Sequence, residues 1–207
     1  MVRRTAIRAV AVALALNAPL ACSPSSAERD RAGPTATVAT EPPRTTTTDP
    51  YAVPAVIDVA YVNRVLAALD AANGDVARLV IRTRTITQEV YDRLKALYVN
   101  PTFMQIKLDG YERDIRENFR DYKSPPGNRK STVSRIISAR PACVFVQVSR
   151  DYSAVGINPL AELQTQWVGL TRLDEGQDPN RYNPTPWAFT YDGFQADRAQ
   201  PSDPCAS

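Results

Sequence analysis

The chain has 207 residues, 43% of them hydrophobic, with 25 Lys and Arg against 22 Asp and Glu and a formal net charge of +3. Histidine is absent, which excludes Ser-His-Asp and Cys-His nucleophile systems and removes the commonest transition-metal ligand. Three of the arginines are Arg3, Arg4 and Arg8; without them 22 basic groups face 22 acidic ones, so the concentrated basic surface of a nucleic-acid-binding domain is not expected.

Those arginines precede an apolar run, AVAVALALNAPLA, from Ala9 to Ala21. At about a dozen residues it is short of the roughly 20 that cross a bilayer as a helix. A basic start, a short apolar stretch and small residues before a cut describe an export signal over 1–21. From Cys22 to about residue 55 the chain is rich in Thr, Pro and Ser and almost free of bulky apolar side chains, so it is expected to be a disordered tether. One folded domain follows over 56–196, roughly 140 residues and enough for one core, with a tail at 197–207. An exported protein with two further cysteines, Cys143 and Cys205, is expected to join them in a disulfide.

The first half of the domain has helical periodicity. Asp58 caps a helix that returns Val59, Val62, Leu66 and Leu69 to one face and ends at Asn73-Gly74. Asp75 starts a short second helix through Leu79 and Val80. Thr85 and Gln88 have capping-box spacing ahead of Ile86, Val90, Leu94 and Leu97. Asn100-Pro101 breaks that helix, and Thr102 opens another with Met104, Leu108, Tyr111, Ile115 and Phe119 on one stripe. Glu112, Arg113, Arg116 and Glu117 mark its solvated side. Lys123, Arg129 and Lys130 form a small basic group, read as a solvated loop flanking a strand.

The second half changes period. STVSRIISAR (131–140) and ACVFVQVSRD (142–151) read as two strands, LAELQTQWVGLTRL (160–173) as a third, and WAFTYDGF (187–194) as a fourth. In the third, Leu163, Thr165 and Trp167 alternate with a polar face of Glu162, Gln164 and Gln166; in the fourth, Trp187, Phe189 and Tyr191 share a face. Helices followed by a four-strand antiparallel meander give an α+β domain. Asp174, Glu175 and Asp178 lack the spacing of a helix-loop-helix calcium site and are expected to form a polar hairpin loop. Neither a metal nor a cofactor is expected.

Two resemblances add to this. Leu20-Ala21-Cys22 resembles the lipobox of bacterial lipoproteins, which implies a diacylglyceryl group on Cys22 and attachment to the outer face of the cell membrane. Two acyl chains make a stable anchor where one holds only marginally. The order of elements, with YVNRVLAALDAANGD and the NPTPWAFTYDGF ending, resembles NTF2-like or SnoaL-like domains of small lipid-anchored actinobacterial proteins. It implies a curved sheet wrapped around the helices, leaving a conical pocket. The hairpin that family places between its second and third helices has no counterpart in NPTFMQIKLDG. Members of the superfamily hold ligands, scaffold assemblies, or run isomerase and dehydratase chemistry with a carboxylate and tyrosines. Carried to this chain, the possible pocket residues are Tyr98, Asp109, Tyr111, Trp167, Trp187 and Tyr191. No catalytic motif appears, and Cys143 has no histidine to activate it. The expected function is a non-catalytic binding or accessory module of the cell envelope, its partner an envelope protein or an apolar small molecule. The alternatives are an isomerase-like enzyme with an Asp/Tyr pocket and a structural adaptor.

Overall fold

In the computed structural model, residues 49–157, 164–174, 181–193 and 200–206 are described, and all of them belong to the unit Thr46–Ser207. The export signal expected over 1–21, Cys22 and most of the expected tether lie outside the described residues.

Helix α1 runs from Val59 to Thr83, capped by the Asp58 carboxylate, which accepts from the Tyr61 amide at 2.7 Å. It does not stop at Asn73-Gly74: one helix of 25 residues replaces the two expected. Gly74 serves packing instead of termination. A Cβ there would fall 2.0 Å from Asn128 Oδ1, a side chain held by Arg78 at 2.9 Å. Helix α2 covers Gln88–Leu97 and is capped by Thr87 instead of Thr85, the hydroxyl accepting from Val90 N at 3.3 Å. Helix α3 covers Pro101–Arg116, with Asn100 as its cap and Pro101 in its first turn, where a missing N–H is harmless. Asn118 and Phe119 follow in left-handed conformation, at φ 55° and 53°. That reversal tucks the Phe119 ring into the core beneath the Arg84 guanidinium, 5.1 Å from the ring centre.

The strands are β1 (Lys130–Arg140), β2 (Cys143–Asp151), β3 (Gln164–Arg172) and β4 (Trp187–Gly193). They form an open antiparallel sheet in the order β1-β2-β3-β4. The expected α+β class, helices first and meander second, is thus the observed one. Both sheet edges are met by the helical layer. On β1, the Ser131 and Val133 amides donate to Asp70 and Asn63 of α1, each at 2.8 Å. On β4, Val99 N donates to Phe189 O at 3.0 Å and Asn100 Nδ2 to Thr190 O at 3.2 Å.

The main core lies between sheet and helices and takes in Val62, Val65, Leu66, Leu94, Val146 and Phe189. Trp187 is buried there, its indole N–H donating to the Tyr61 hydroxyl at 2.8 Å, and Tyr61 in turn donates to Tyr51 O at 2.9 Å. Tyr51 and Val53, which composition assigns to the tether, therefore pack against this core.

The far face of the sheet carries a second cluster, Phe145 and Trp167 with Cys205 on the C-terminal segment. The expected Cys143–Cys205 disulfide ties that segment down across 62 residues. Both faces of β3 are therefore covered, and Gln166, expected on a polar outer face, is buried. Gly169 permits the close approach: a Cβ would meet Thr190 Cγ2 at 2.8 Å and Pro204 Cγ at 3.0 Å. Gly169→Ala is expected to cost about 1–3 kcal/mol from overpacking. The urea midpoint measures it; an unchanged midpoint would mean that Thr190 and the C-terminal segment both give way to the added methyl.

Candidate functional site

One interruption in β4 creates the polar heart of the domain. Gly169 pairs with Tyr191 but Leu170 pairs with Phe189, so Thr190 is an extra residue on the β4 side. The bulge inverts the alternation. Trp187 and Phe189 face the helices, Tyr191 joins the far-side cluster, and Asp192 turns inward. The expected common face of Trp187, Phe189 and Tyr191 is corrected accordingly.

Asp192 meets cations from three other elements. Its Oδ2 lies 3.3 Å from Arg129 Nη1, just ahead of β1, and 3.2 Å from Lys107 Nζ of α3. Its Oδ1 lies against Arg150 Nη1 of β2 as a close ion pair without hydrogen-bond alignment. Tyr98 donates its hydroxyl to Oδ2 at 2.8 Å and also reaches Asn73 Oδ1 at 3.1 Å. Behind Arg129, Asp70 of α1 accepts from Nε at 2.5 Å while its other oxygen takes the Ser131 amide. Arg150 also donates to Ser131 Oγ at 3.0 Å and to Gln166 Oε1 at 2.7 Å, and Gln166 Nε2 donates to the Tyr152 hydroxyl at 3.2 Å.

Taking these charges out of water is expensive, and mutual pairing offsets it. Burial pushes the Asp192 carboxyl up, but Arg129, Arg150 and Lys107 overcome that and hold it well below the ordinary carboxylate value. Burial likewise works against the Arg129 cation, yet Asp192 and Asp70 keep it charged. Burial and the Asp192 charge both raise Tyr98, which stays a neutral donor. Lys107 is lowered by burial, with Asp192 opposing. Tyr152 moves the other way: burial raises it, but Arg150, Arg129 and Lys107 together bring it below the ordinary phenol value. The field at that point of the wall favours a negative charge.

Beside this network is a cavity of about 300 Å³. Asn73, Gly74 and Ala77 of α1 form one wall; Ile106, Lys107, Gly110, Tyr111, Arg113 and Asp114 of α3 form another. Tyr122, Gly127, Arg129, Tyr152 and Val155 complete it. Asp114 accepts from the Tyr122 hydroxyl at 2.7 Å, and burial and that bond both raise the phenol. Gly110 sits inside α3, where glycine costs roughly 0.5–1 kcal/mol relative to alanine. A Cβ there meets nothing nearer than 4.0 Å, so packing does not demand a glycine. Gly110 lines the cavity, and the space beside its Cα is free.

Of the expected pocket residues, Tyr111 alone lines this cavity. Tyr98 is buried behind it in the charged network. Asp109 is exposed and bonded to Gln105 Nε2 at 2.7 Å, because helical spacing turns it away from the Tyr111 stripe. Trp187 belongs to the main core, and Trp167 and Tyr191 to the cluster on the far side of the sheet. Arg129, read as part of a solvated basic loop, is 8% exposed, while Lys123 and Lys130 are exposed as expected. Asp174 is exposed; Glu175, Asp178, Glu162 and Leu163 lie outside the described residues. Among the described residues no group of acids or cysteines has the arrangement to hold a metal ion, and no helix is long and apolar enough to cross a membrane.

Comparison with protein-family models, curated proteins and solved structures finds no match. What the cavity can do follows from its own walls.

Proposed function

We propose that the domain is a non-catalytic binding module of the cell envelope, tethered to the outer face of the membrane by lipid on Cys22, and that its cavity takes a small molecule. The cavity carries this reading. At about 300 Å³ it lies at the lower end of small-molecule sites and far above the roughly 10–15 Å³ that one water needs. A glycine in the middle of a helix, with no packing reason for it, lines that space. The bulged sheet with helices on one face supports an NTF2-like arrangement, and the Cys143–Cys205 bond is compatible with export. Fold alone assigns no activity.

Native mass spectrometry of the full chain from its producing cells tests the cavity. A bound small molecule is expected, and Gly110→Trp should lose it without a large change in melting temperature. No bound molecule in the native chain, or one retained by the plugged variant, would overturn the reading. The anchor has its own test. Cys22→Ala should abolish labelling by a clickable fatty acid and release the chain from membranes, whereas label surviving the substitution would sink it.

A second reading, proton-transfer catalysis, draws on Asp114, a carboxylate only 18% exposed on the cavity wall with two tyrosines beside it. It competes poorly because Tyr122 already occupies one Asp114 oxygen. Asp114→Asn separates the readings: an enzyme would lose turnover, and a binding module would keep its ligand.

A further inference from the structure

Building on the ligand-binding reading, we propose that the cavity selects a small monocarboxylate with a planar apolar body, its carboxylate seated at Lys107 and Arg129. The sign of the charge comes from the groups around the site. Four cations, Lys107, Arg113, Arg129 and Arg150, stand against three carboxylates, Asp70, Asp114 and Asp192. One further negative charge completes the balance. Arg129 is a wall of the cavity, and its Nη2, shielded from solvent, has no hydrogen-bond partner among the described residues. A buried guanidinium donor without a partner costs about 1–3 kcal/mol or more, and a carboxylate oxygen is a strong acceptor for it. Lys107 keeps 28% of its side chain open and contacts Asp192 at 3.2 Å, which leaves ammonium protons for a second anion.

The shape of the ligand comes from the rest of the wall. Tyr111, Tyr122 and Tyr152 supply aromatic side chains, and Ala77, Ile106 and Val155 supply aliphatic surface. A bare inorganic anion would leave that surface wet. A dianion would overshoot the single uncompensated charge. Asn73 lines the same wall with one amide hydrogen held by Leu69 O at 3.1 Å.

Benzoate and benzamide, nearly equal in shape and different in charge, make the test, with inorganic phosphate as the bare anion. Ligand-observed NMR on the full chain is expected to show benzoate binding at least about tenfold tighter than benzamide, with phosphate weaker than benzoate. Lys107→Gln should reduce the benzoate preference to within about twofold, and Lys107→Arg should restore it, which a merely structural lysine would not do. Gly110→Trp should exclude both aromatic probes. Equal binding of benzoate and benzamide, both lost in Gly110→Trp, would overturn the anion assignment while leaving the binding module standing. Phosphate binding as tightly as benzoate would overturn the planar body. Failure of every probe to bind the native chain would overturn both.

Discussion

Asp192→Asn is expected to lower stability by about 3–5 kcal/mol, the cost of breaking a buried ionic cluster by removing one partner. The substitution keeps the shape of the side chain and removes the charge on which Arg129, Arg150 and Lys107 converge. Asp70 remains, but it is already bonded to Arg129 Nε and the Ser131 amide. At roughly 2–4 °C per kcal/mol for a domain of this size, the melting temperature should fall by about 10–15 °C. The pH dependence has a definite sign. The folded Asp192 carboxyl sits well below its ordinary value of 3.8. Its stabilisation is therefore fully present above about pH 4–5 and disappears as the pH falls through the lower folded value. The gap between native chain and variant should be flat from about pH 5 to neutrality and close in acid. Thermal melts across that range measure it. A loss under 1 kcal/mol, or a gap that widens in acid, would mean that water reaches the cluster.

Cutting the Cys143–Cys205 bridge is expected to cost a similar amount by a different route. A bridge across 62 residues removes chain entropy from the unfolded state worth about 4 kcal/mol. The folded state also loses a cover, because Cys205 is 3% exposed and packs with Phe145 and Trp167. Replacing both cysteines by alanine should lower the urea midpoint and shift the emission of Trp167 to the red as the C-terminal segment detaches. Trp187, in the main core on the other side of the sheet, should not change in the folded variant. Single-tryptophan versions would separate the two signals. A lowered midpoint with no emission shift would show that the bridge acts on the unfolded chain alone and that the segment stays seated without it.

The two effects differ in how they appear in a sequence. Once Cys22 is read as the end of an expected export signal, two cysteines are left and there is one way to join them. Likewise the helical stripes through Leu66 and Leu69, through Val90 and Leu94, and through Leu108 and Tyr111 lie where their spacing puts them, because each stripe is a property of one element. Class and element order were legible on those grounds, as was the cap at Asp58. The boundary expected at Asn73-Gly74 failed because an Asn-Gly pair stops a helix only when the backbone is free to turn, and Asn128 gives that glycine a packing role 54 positions along the chain.

The site was mostly not legible. Tyr111 could be found because it shares an apolar stripe. Lys107, Arg129, Arg150 and Asp192 are each, in their own neighbourhood, unremarkable charged residues, and each would ordinarily face water. Arg129 and Asp192 are 63 residues apart, and only an extra residue at Thr190 turns the carboxylate toward the guanidinium. By itself the sequence determined the class, the order of the elements, the helical faces and the pairing of Cys143 with Cys205, since these depend on local period and on a count. Tertiary structure alone decided that α1 runs unbroken, that both faces of β3 are covered, and that a charged cluster stands beside an open cavity. Charge compensation between distant residues and the register of a bulged strand leave no periodic trace along the chain, because they exist only once the elements have packed.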